Sequence, residues 1–131
     1  MLGQLARPDR VVVADFEAGL GTVLRLQGMP VDVVVIVVEP TAKSIEVGVR
    51  AAETVRTAEL GRVLVAANRI RDDDDEARVR AAFPDAHVVL IPEDPAITAA
   101  ERLGQAALDV APDSPAVRAL ITLAEGLQKA G

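Results

Sequence analysis

Four short apolar runs limit what this chain can become: Val11 to Asp15, Val33 to Val38, Val63 to Ala67 and His87 to Ile91. Each is β-rich and apolar at consecutive positions rather than alternating, the pattern of strands covered on both faces. Helical spacing fills the gaps. Thr41 to Leu60 places Ile45, Val49, Ala52 and Val55 on one side, and Asp72 to Phe83 does so with Ala77, Val79, Ala81 and Ala82. Two further helices are expected over Asp94 to Leu108 and Asp113 to Gln128, each opening on a capping residue beside a proline, Asp94-Pro95 and Ser114-Pro115. Strands alternating with helices imply right-handed βαβ crossovers. The expected fold is therefore a three-layer α/β domain over residues 1–131. Its mostly parallel sheet has about four strands, with helices on both faces.

Hydrophobic residues make up 50% of the chain, enough for one core, and most of them are Ala or Val. Phe16 and Phe83 are the only aromatics, so there is no platform for stacking bases. The formal net charge is −6 and no basic run exceeds two residues, which argues against binding nucleic acid through phosphate neutralisation. Cysteine is absent, and with it disulfides, thiolate metal sites and cysteine nucleophiles. No signal-peptide core is present, and no apolar run approaches the roughly 20 residues of a membrane span. The last helix carries only Arg118 and Lys129 as cations, too few for an anionic-lipid anchor. The expectation is a soluble cytoplasmic domain.

In parallel sheets ligands bind at the carboxyl ends of strands, which directs attention to Asp15 to Gly21, Glu39 to Ser44, Asn68 to Arg71 and Pro92 to Asp94. Asp15 at a strand end can hold a Mg²⁺-bound water, with Glu17 and Gly19 in a phosphate-sensing loop. Equally, Asp15 and Glu17 can cap a helix around Leu20 to Leu26. Asn68 carries both a donor and an acceptor, suited to the edge of a purine, but an Asn after a strand more often bonds its own backbone. Gly19 and Gly21, with Glu39 twenty residues after Gly19, loosely match a dinucleotide fingerprint whose third glycine is here Leu24. Asp72 to Glu76 is read as first-turn carboxylates on a helix rather than a metal site. His87 is read as structural, and Lys43 as solvated. No nucleophilic triad and no paired acid/base carboxylates can be assembled.

In order, the stretches VVVADFEAG, VDVVVIVVEPTAKSIEVG, VLVAANRIR, VVLIPEDPAI and DVAPDSPAVRAL resemble the MinD/Mrp/ArsA group of P-loop ATPases, and within it the CooC-type nickel-insertion ATPases. The resemblance runs from about Asp9 to Leu127. It implies that Asp15 serves the Mg²⁺ shell, that Glu17 to Gly19 form a switch loop, and that Asn68-Arg69 read adenine. It also implies that Pro92 to Asp94 close over the base and that Mg-ATP is the cofactor. The departures are as informative. The Gly-Lys-Ser/Thr loop that holds phosphates is nowhere in these 131 residues, nor is the Cys-x-Cys pair of the nickel-insertion members.

The match covers the later half of the family domain, and Met1 to Ala6 resembles the tail of an upstream helix. In this family the P-loop strand lies between the strands ending at Asp15 and Val38. Without it those two strands must pair directly, in a rearranged four-stranded sheet, or leave open apolar edges that recruit a partner or aggregate. The expected function is a truncated or degenerate CooC/MinD-like ATPase domain, without tight ATP binding or hydrolysis alone, completed by self-association or a partner chain. The alternatives are a nucleotide-independent interaction module and, with less support, a dinucleotide-binding protein.

Overall fold

A computed structural model describes residues 10–16 and 31–130 of the chain. The expected α/β architecture is present: β1 (Val33–Val38), α1 (Ala42–Thr57), β2 (Arg62–Ile70), α2 (Asp73–Ala82), β3 (His87–Pro92), α3 (Pro95–Arg102), α4 (Ala107–Val110) and α5 (Pro115–Ala130). The strands form one parallel sheet in the order β1-β2-β3, registered so that Ile36 faces Val65 and Val65 faces Val88.

Alternation along the strands divides their side chains between two helical layers. Ile36, Val38, Val65, Ala67 and Val88 face α1 and α2, where Ala52, Val79 and Phe83 complete the main core. Ala66 and Ile91 face the other way, against Ala116 of α5. The largest fully buried side chains are all valines, Val38, Val55, Val65 and Val79. Each stabilises the fold by roughly 1.5–3 kcal/mol through burial. Small residues let α1 sit close to the sheet: a Cβ on Gly48 would collide with the buried Val38 side chain.

Two expectations are corrected. Val11 to Asp15 is not a strand, so the sheet has three strands among the described residues rather than about four. Residues 10–16 are exposed and take no regular structure, with Val13 86% accessible. A β-branched run becomes a strand only where a neighbour supplies hydrogen bonds and a covered surface. Among the described residues β1 pairs with β2 alone. The second correction concerns the helix expected over Asp94 to Leu108, which divides into α3 and α4. Gly104 takes φ +65°, and the N–H of Gln105 returns to Ala100 O at 3.0 Å. That closes α3 with a left-handed glycine cap.

The same device ends α1 without a glycine. Glu59 has φ +52°, while Glu59 N donates to Arg56 O (3.2 Å) and Leu60 N donates to Val55 O (3.1 Å). The accompanying apolar contact is present too, since Leu60 packs on Val55.

Candidate functional site

The carboxyl end of β2 is irregular. Pairing with β3 slips between Ala67 and Ile70, so that two residues, Asn68 and Arg69, lie opposite the single Ile91. Such a bulge re-aims side chains and commonly sits beside a site. Arg69 takes φ +60°, unusual for a residue with a Cβ and costing about 1 kcal/mol. Its guanidinium lies between Glu39 after β1 (3.6 Å) and Glu93 after β3 (3.4 Å). One cation thereby links the ends of all three strands, although its exposure to water and salt keeps each pair weak. Asn68 continues the face of Leu64 and Ala66 and is half-buried. No hydrogen bond engages its amide among the described residues, so the turn-stabilising alternative lacks its bond.

The chain leaves β3 through Pro92, Glu93 and Asp94, with Glu93 N donating to Ile70 O at 2.9 Å. Asp94 caps α3, its Oδ1 accepting from Ala96 N at 2.9 Å. Its Oδ2 accepts from Ala116 N at 3.0 Å, in the first turn of α5. A single carboxylate thus ties two helix starts together, and the positive ends of both helices favour its charge. The Ala116 and Ala96 N–H groups hold its carboxyl below the usual carboxylate range. Ser114 Oγ, accepting from Val117 N at 3.4 Å, completes the entry to α5.

Asn68, Arg69, Pro92 and Asp94, named from the sequence as base-binding candidates, line one open cleft of ≈ 600 Å³. Its floor is the sheet face of Val35, Val37 and Ala66, and its walls are Ile97 of α3 and Leu120 and Leu123 of α5. Those wall residues were not singled out from the sequence. Their signal was present in part, since alternation places Val35, Val37, Ala66 and Asn68 on one face. Which helix covers that face is fixed only by Asp94 reaching Ala116. The polar rim is acidic on balance: Arg69 stands against Glu93, Asp94 and Glu101.

Asp15 is exposed and outside any strand, so nothing in the described fold directs it to the cleft. Glu17 and Gly19 of the expected switch loop lie outside the described residues, as do Gly21 and Leu24. Glu39, the ribose candidate of the dinucleotide reading, is paired with Arg69, and its backbone N donates to Ser44 Oγ at 2.9 Å. Ser44 and the N-cap Thr41 together fix the start of α1, leaving Lys43 exposed in its first turn. His87 is exposed where β3 begins.

The acidic run is used to start α2. Asp72 caps Asp75 N at 2.9 Å, while the buried Asp75 (4% exposed) accepts from Arg71 N at 3.0 Å and Arg71 Nε at 2.9 Å. The Arg71 guanidinium and backbone N–H depress the Asp75 carboxyl below its usual range. Among the described residues, no three His, Cys, Asp or Glu side chains gather as a metal site, and no helix is long and apolar enough to cross a membrane.

No family model matches the chain, and no curated protein matches it. A solved structure does: the MinD cell division protein of Aquifex aeolicus, with a TM-score of 0.63 and 23% sequence identity over 76% of this chain. The match takes in 45% of the MinD chain, so this sequence spans less than half of that protein's length. At that identity the likeness concerns the fold. The chain has the fold of part of the MinD structure.

Proposed function

We propose that the cleft at the carboxyl edge of the sheet is the base end of an adenine-nucleotide site, within a MinD-like ATPase domain that lacks its own phosphate cradle. The observation that carries this reading is the meeting of the Asn68-Arg69 bulge with the Pro92-Asp94 loop over one apolar floor. The Asn68 amide offers a donor and an acceptor to a purine edge, Pro92 and Ile91 offer a dry surface, and Asp94 holds the wall in place. The order of motifs around these residues resembles that of the CooC-type members. Backbone N–H groups and a lysine normally supply most phosphate affinity, and these 131 residues contain no Gly-Lys-Ser/Thr loop. The acidic rim also opposes a polyphosphate. Binding by these 131 residues alone is therefore weak and indifferent to the phosphates, and hydrolysis requires groups from outside them. Asp15 would join the Mg²⁺ shell only when its strand is brought to the sheet.

An NMR titration of ¹⁵N-labelled protein with adenosine tests the assignment. The expected shifts fall on Asn68, Arg69, Glu93 and the start of α3, and they vanish in Asn68→Ala. Shifts confined to other surfaces would refute it.

A second reading has its own support. Val37, on the edge strand β1, is 64% exposed, apolar surface suited to contact with a partner. A nucleotide-independent interaction module would leave the adenosine titration silent while forming a stable complex.

A further inference from the structure

We infer that the open edge of β1 takes up the Val11–Asp15 segment of a second copy of this chain as a parallel fourth strand. β1 is an edge of the sheet among the described residues, and its sequence is VVVIVV. It contains no charge, proline or bulge, the devices that normally keep an edge from pairing. The opposite edge differs, since β3 begins with His87 and ends on Pro92. A strand-forming segment without a strand partner lies in the same chain. Val11, Val12, Val13 and Phe16 are 67%, 42%, 86% and 47% exposed, and residues 10–16 belong to no strand. An unprotected edge and an unpaired β-branched segment in one molecule are complementary halves of a strand exchange between copies. This inference goes beyond the nucleotide reading and does not depend on it.

Charge selects the direction and register. Placing Val11 beside Val33 in parallel sets Arg10 beside Asp32 at the amino end of the sheet. An antiparallel strand instead brings Asp15 towards Asp32, and it offers Arg10 to Glu39, which Arg69 already holds. In the parallel register Val13 and Asp15 fall beside Val35 and Val37, on the face that floors the cleft, while Val12 and Ala14 extend the core face of Val34 and Ile36. The exchange covers Val37 and delivers Asp15 to the carboxyl edge, where Asn68 and Arg69 stand. The sixteen residues between Phe16 and Val33 can span roughly 50 Å when extended, ample for reciprocal exchange.

Mass in solution and cysteine pairing test this. The chain has no cysteine, so every disulfide reports an introduced pair. The wild-type chain is expected to show a concentration-dependent mass of twice 13.7 kDa. A mixture of singly substituted Val11→Cys and Val33→Cys chains is expected to give the mixed disulfide in several-fold excess over Val11→Cys with Val37→Cys. The double substitution Val12→Pro/Val13→Pro returns the mass to that of one chain without changing the helical signal or Tm of the dilute protein, because both residues are unpaired there. A chain that stays monomeric at all concentrations overturns the inference. So does an intrachain disulfide at monomer mass in Val11→Cys/Val33→Cys, a preference for Val37→Cys, or a dimer that survives the two prolines.

Discussion

Asp94 shows how much organisation one side chain can carry. Its two oxygens bind the first turns of α3 and α5, helices whose starts are separated by twenty residues of chain. Asp94→Ala frees both N–H groups and unpins the cleft wall, and differential scanning calorimetry should record a Tm lower by roughly 5–10 °C. The pH dependence has a fixed sign. Asp94, held by Ala116 and Ala96, and Asp75, held by Arg71, both have folded-state pKa values below the usual 3.8. Their stabilisation is complete above the unfolded carboxylate range and is lost as pH falls through the lowered folded values. Melting curves from pH 7 to pH 2 should therefore steepen below about pH 4, and Asp75→Asn/Asp94→Asn should flatten that limb. The Asp75 share should shrink in salt, because Arg71 is exposed. Residue roles were half legible in the sequence. Asp94-Pro95 announced a helix cap, but the second bond to Ala116 depends on where α5 lands. Asn68 and Arg69 followed a strand in the sequence. That they occupy a bulge, with Arg69 left-handed between two carboxylates, is a property of the pairing.

Elements were legible where local chemistry decided them. The three consecutive-apolar runs from Val33 onward became strands because helices cover both faces, and the Asp72 and Ser114 caps start α2 and α5. Gly104 ended α3 early, a stop signal the apolar spacing up to Leu108 concealed. Val11 to Asp15 failed for the converse reason: its residues suit a strand, but no strand of the described fold is paired with it. At the end of α1 the conformation and the residue disagree, since Glu59 occupies the left-handed position that glycine fits without cost. Glu59→Gly should stabilise the domain by about 1 kcal/mol, raising Tm by several degrees. An unchanged or lowered Tm would mean that the Glu59 backbone is unstrained or that its side chain does more than solvate.

For the molecule as a whole, the parts present and the parts missing point the same way. On the function proposed above, the MinD-like sheet, the cleft and the unprotected edge belong to a domain that holds one end of a nucleotide. The cleft walls could not be read from residue order, because they depend on which faces the packed helices leave open. Isothermal titration calorimetry of the isolated chain with adenosine and with Mg-ATP is the direct test of this arrangement. Affinities near a millimolar, equal within about threefold for the two ligands and lost together in Asn68→Ala, are the predicted result. Micromolar Mg-ATP binding with adenosine at least a hundredfold weaker would contradict it, because the phosphates would then be held by a cradle within these 131 residues, which contain no Gly-Lys-Ser/Thr loop.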